Sequence, residues 1–89
     1  MLIYVSASKC HYPMVKALAA ADASNTYIFP DNALLHLNGS RISEKDKREQ
    51  RDDLICCCEK MVVAPNITAE MQEEINLAER LHLEVEYLA

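Results

Sequence analysis

The sequence lacks a long apolar run, an excess of basic residues and a leader-like N-terminus. No apolar run approaches the roughly 20 residues that a membrane helix needs. The apolar stretch Leu2 to Val5 is too short for a signal peptide, and no basic segment precedes it. Basic residues number 9 against 14 acidic ones, which argues against a general binder of nucleic-acid polymers. We therefore expect a cytoplasmic protein with neither a membrane nor a nucleic-acid partner.

Spaced pairs of cysteines are also missing from the sequence. Cys10 stands alone, and the other three cysteines form the consecutive run Cys56 to Cys58. Adjacent cysteines do not readily bridge each other, and structural zinc sites use spaced pairs. We expect reduced thiols, with the run contributing small core residues, and neither a metal nor a cofactor.

Four short apolar runs alternate with three stretches of helical pattern. The predicted strands are Met1 to Val5, Thr26 to Phe29, Met61 to Ala64 and Leu83 to Leu88. The predicted helices begin near Pro13, Ser43 and Thr68, and the third has the apolar stripe Met71, Ile75, Ala78 and Leu81. The stretch 31–42 reads as a loop whose leucines, Leu34, Leu35 and Leu37, pack as a cover.

This alternation predicts an α/β domain spanning residues 1–89. We expect a three-layer arrangement with a four-stranded parallel sheet of order 2-1-3-4 and helices on both faces, of the flavodoxin/Rossmann-like type. At 89 residues the domain is small, so we also expect a homodimer that buries more surface.

The predicted ligand site lies outside the carboxyl ends of the first and third strands, where the strand order reverses. Ser6, Ser8, Asn66 and Thr68 border this crevice. Each also has an ordinary structural role open to it, as a loop serine or as a cap. Tyr4 lies within the first strand, and a tyrosine there is more often a core residue than a ligand contact.

Two segments resemble a known family. Met61 to Ala64, a short turn and the helix Met71 to Ala78 resemble the core motif of the nucleoside 2-deoxyribosyltransferase-like superfamily, which includes small phage and bacterial members of unknown function. The opening Ile3-Tyr4-Val5-Ser6 is similar to the first strand of that family.

The resemblance places Glu74 on the nucleophilic glutamate of the family. Such a carboxylate attacks the anomeric carbon of a nucleoside or nucleotide, and water or a second base resolves the glycosyl-enzyme intermediate. The chain would then be a nucleoside deoxyribosyltransferase or a nucleotide N-glycosidase. The predicted ligand contacts are Tyr4, Ser6, Ser8, Asn66, Thr68 and Met71. Without the resemblance, Glu74 reads as a solvated helix carboxylate.

Two alternatives stay open at this point. The chain has Ala7-Ser8 where the family usually has Gly-Pro, and its only glycine is Gly39. A glycine-poor first loop favours a non-catalytic interaction or ligand-sequestering protein, of a kind that a phage could encode. Alternatively, Cys10 after the first strand occupies the place of a redox or phospho-cysteine, although Pro13 replaces the second cysteine of a Cys-x-x-Cys pair.

Overall fold

A computed structural model of the chain describes residues 1–29 and 44–88. The predicted cover loop 31–42, with its three leucines, lies outside these described residues. Within them, no helix is both long enough and apolar enough to cross a bilayer.

The centre of the fold is a parallel sheet of four strands. They are β1 (Leu2–Ser6), β2 (Thr26–Ile28), β3 (Lys60–Val63) and β4 (Glu84–Tyr87). The spatial order is β2-β1-β3-β4, and each neighbouring pair is parallel. The predicted strand order is therefore confirmed, and β1 and β3 lie side by side with Ser6 opposite Val63.

Helices cover both faces of this sheet. Helix α1 (Tyr12–Ala21) follows a short 3-10 turn, Lys9–His11, and packs Val15 against one face. Helices α2 (Glu44–Cys57) and α3 (Ala69–Arg80) pack against the other face through Ile55 and Ile75. The predicted three-layer α/β architecture is confirmed.

Local hydrogen bonds define both ends of α3. The Thr68 hydroxyl accepts from the backbone N–H of Met71 at 3.2 Å, as an N-cap does. At the other end, His82 has a left-handed φ of 59°, and the N–H of Leu83 donates to the carbonyl of Ala78 at 3.0 Å. This Schellman-type turn ends the helix and directs the chain into β4.

Two of our burial predictions are wrong in detail. Leu81 is 40% exposed, because α3 ends at Arg80 and Leu81 is its C-cap residue rather than part of the buried stripe. Cys58 is buried, but Cys56 and Cys57 are exposed. Ile55 and Cys58 are three residues apart and share the side that faces the sheet, so the two cysteines between them turn outward.

Candidate functional site

Glu74 is a carboxyl group held inside the fold at the carboxyl ends of the central strands. Only 7% of the residue is exposed. On α3 it lies three residues after Met71 and four before Ala78, both of which are buried. This helical spacing places all three on one face, so the Glu74 side chain is directed toward the sheet rather than into solvent.

Two side chains of β1 meet this carboxyl group. Tyr4 and Ser6 are alternate residues of the strand, so they point to the same face of the sheet. The Tyr4 hydroxyl donates to Oε2 of Glu74, and the Ser6 hydroxyl donates to Oε1 at 3.3 Å. Tyr4 and Ser6 are both fully buried. Both carboxyl oxygens of Glu74 are thus oriented by hydrogen bonds from one strand.

Burial is the main influence on the acidity of this cluster. It raises the pKa of Glu74 from the ordinary 4.5 to about 7, against the hydrogen bonds from Tyr4 and Ser6 and the charge of Arg51, which lower it. Burial and the adjacent Glu74 carboxylate also raise the pKa of Tyr4 far above its ordinary value. Near neutral pH, Glu74 therefore exchanges between charged and neutral forms while Tyr4 keeps its proton.

Arg51 was not among the predicted site residues. Its side chain is 15% exposed, and its Nη1 donates to Oε2 of Glu73 at 3.3 Å, which links α2 to α3. The positive charge lowers the pKa of Glu74. A sequence signal for Arg51 exists, because it lies four residues before Ile55 and seven before Cys58, on the stripe of α2 that faces the core.

Three more predicted residues lie near the start of α3. Thr68 and Met71 contact each other twice, through the cap bond and through a 3.5 Å contact from the Thr68 N–H to Sδ of Met71. Asn66 is exposed in the preceding turn, with a left-handed φ of 63° that asparagine tolerates. These residues lie within eight positions of Glu74 along the chain, and their roles as ligand contacts stay predictions.

Ser8 belongs to a separate group of side chains. Its hydroxyl contacts Sγ of Cys10 at 3.1 Å and Nδ1 of His11 at 3.0 Å. Of the six residues predicted to contact ligand, the structure brings Tyr4 and Ser6 directly onto Glu74. Ser8 lies two residues further along the chain, just after β1.

In the part of the chain that the structure describes, no group of three or more histidine, cysteine, aspartate or glutamate side chains is arranged to hold a metal ion. Comparison of the chain with protein families, curated proteins and solved structures gives no match.

Proposed function

We propose that the chain binds a nucleoside or nucleotide at the carboxyl ends of β1 and β3, and that Glu74 acts as a nucleophile on its N-glycosidic bond. The observation that carries this proposal is the buried Glu74 carboxyl group, oriented by Tyr4 and Ser6 at the point where the strand order reverses. Ligands of open α/β sheets bind at that point. Carboxyl groups with strongly shifted pKa values are concentrated at functional sites.

The proposed reaction uses the ionised form of Glu74. One carboxylate oxygen attacks the anomeric carbon, the bond from that carbon to the base breaks, and the base leaves with a proton from solvent. The resulting glycosyl ester on Glu74 is then cleaved by water or by a second base. Tyr4 keeps its own proton at neutral pH, because its pKa is raised. Its role is to orient the carboxylate.

The N-terminus of α3 supports a phosphorylated ligand in the same place. Its first backbone N–H groups and the helix dipole favour an anion. Thr68 caps this terminus, and Met71 lies three residues before Glu74. A nucleoside monophosphate would then place its phosphate near Thr68 and its sugar near Glu74.

One observation favours a second candidate function. Both oxygens of Glu74 are already hydrogen-bonded within the protein, and the residue is almost fully enclosed. A satisfied buried carboxyl group can be purely structural. The second candidate is therefore a non-catalytic interaction or ligand-sequestering protein with the same fold. A homodimer remains a prediction under either proposal.

Thermal unfolding with a panel of ligands tests the proposed binding. The panel contains the ribo- and deoxyribonucleosides, their monophosphates, the free bases and inorganic phosphate. A ligand present at about 100 times its dissociation constant should add roughly 2.7 kcal/mol to the free energy of unfolding. We expect the melting temperature to rise with at least one nucleoside or nucleotide, and less with the free bases or phosphate alone.

The exposed Glu79, on the same helix, provides the matched control for this experiment. Glu79→Gln should show the same ligand response as the wild-type protein. Absence of a shift with every member of the panel would refute nucleotide binding and favour the interaction protein.

A further inference from the structure

Three reactive side chains meet at the turn between β1 and α1. Sγ of Cys10 lies 3.1 Å from the Ser8 hydroxyl and 3.3 Å from Nδ1 of His11, and the same nitrogen lies 3.0 Å from the Ser8 hydroxyl. The backbone N–H of His11 donates to the carbonyl of Ser8 at 3.0 Å, which closes the turn. The thiol is exposed to solvent.

This geometry suits a thiol that acts as a nucleophile. The thiolate is the reactive form of cysteine, and a free thiol is only a few per cent ionised at neutral pH. An imidazole nitrogen in contact with the sulfur can accept its proton. The resulting thiolate can then accept hydrogen bonds from the imidazolium N–H and from the Ser8 hydroxyl. A thiol, a base and a hydroxyl donor are thus assembled within one short turn.

The remaining cysteines provide internal references. Cys56 and Cys57 are exposed thiols on α2. Cys58 is buried, and burial raises the pKa of its thiol to about 11. A difference between Cys10 and the two exposed thiols would therefore measure the effect of the local environment rather than of exposure alone.

We propose that Ser8, Cys10 and His11 form a second site, at which Cys10 exchanges with small soluble disulfides. The thiol proton passes from Sγ to Nδ1 of His11, and the thiolate attacks one sulfur of the disulfide. The bond between the two reactant sulfurs breaks as the bond to Cys10 forms, and the departing thiolate takes the proton from His11. Pro13 occupies the position of the resolving cysteine in a Cys-x-x-Cys pair, so this turn has no second thiol and the product is a mixed disulfide on Cys10.

The site is independent of the proposed glycosidic chemistry, although the two lie close in the chain. Ser6 contacts Glu74, and Ser8 follows two residues later. A group attached to Cys10 would therefore occupy the carboxyl-end side of β1.

The test compares reaction rates at the individual cysteines of the intact chain. The protein is treated at neutral pH with glutathione disulfide and, separately, with iodoacetamide, an uncharged probe that removes any effect of charge on approach. Peptide mass spectrometry then measures modification at Cys10, Cys56 and Cys57 over time. We expect Cys10 to react about tenfold faster than the other two, because only Cys10 has an imidazole nitrogen and a hydroxyl group in contact with its sulfur to take up the thiol proton and to donate to the attacking sulfur.

Two variants and one condition separate activation from simple exposure. His11→Gln should bring Cys10 to the rate of Cys56 and Cys57, and Ser8→Ala should cause a smaller fall. Unfolding in urea should equalise all the cysteines. Glu74→Gln should leave the Cys10 rate unchanged, so this result does not depend on nucleotide binding. Equal rates in the folded wild-type protein, or a Cys10 rate unchanged in both His11→Gln and Ser8→Ala, would overturn the proposal.

Discussion

Glu74→Gln should lower the release of free base from a nucleoside or nucleotide by roughly 10³-fold or more, since loss of a nucleophile typically has effects of this size or larger. Glutamine fits the same space and can still hydrogen-bond to Tyr4 and Ser6, but its amide cannot form the glycosyl ester. Chromatography of free base after incubation with the substrate measures the loss.

The pH dependence of the same reaction identifies the form of Glu74 that acts. Its pKa is raised to about 7, so a nucleophilic carboxylate predicts a rate that rises with pH through that value. A rate that falls over this range would instead indicate a general acid. Glu79→Gln should retain the wild-type rate, and turnover retained by both Glu74→Gln and Glu74→Ala would remove Glu74 from the mechanism.

The second large effect concerns the stability of the fold. The native Glu74 carboxyl has a pKa of about 7, whereas in the unfolded chain it has the ordinary value of 4.5. The native state therefore binds this proton more tightly. Its stabilising contribution is complete below the unfolded pKa and is lost as the pH rises through the native one. The loss attributable to Glu74 is about 3 kcal/mol.

Urea unfolding of the wild-type protein and of Glu74→Gln, measured from below the unfolded pKa of Glu74 to above its native pKa, isolates the contribution of Glu74 to the free energy of unfolding. Glutamine does not titrate, so Glu74→Gln should not lose this contribution. The free energy of unfolding of the wild-type protein should therefore fall relative to that of Glu74→Gln as the pH rises from acid to slightly alkaline. Glu79→Gln should follow the wild-type curve. If the Glu74→Gln and wild-type curves run parallel, Glu74 is not the buried carboxyl group that the structure describes.

The architecture was predictable because each strand and helix has its own local signal. The apolar run of β1 marks a buried strand, and Pro13 and Thr68 mark helix starts. Alternation of these elements with right-handed crossovers leaves few topologies, and the observed order β2-β1-β3-β4 is one of them. The same reasoning indicated the carboxyl ends of β1 and β3 as the place of a crevice bordered by Ser6. Glu74, which contacts Ser6 there, was indicated only by the family resemblance, since its spacing alone reads as that of a solvated carboxylate.

The side-chain contacts around the sites could not be predicted, because they depend on how the helices are rotated against the sheet and on the backbone of one turn. Arg51 has helical spacing to Ile55, but it stands in a charged segment that reads as solvated, so the sequence does not indicate its partner on α3. The structure places its Nη1 3.3 Å from Oε2 of Glu73. The exposure of Cys56 and Cys57 follows from the same rotation. The contact between Cys10 and His11 depends on the backbone of a single turn, which residue spacing does not specify.

The most direct test of Glu74 as a buried carboxyl group in a nucleotide site is an NMR titration of its carboxyl carbon, assigned by the absence of that signal from Glu74→Gln. It is recorded with and without pooled ribo- and deoxyribonucleoside monophosphates. We expect one glutamate with a pKa near 7 in the free protein, and a change in that carbon signal when the nucleotides are added. A pKa near the ordinary 4.5 would contradict the buried site, and a signal unaffected by every nucleotide would contradict its proposed function.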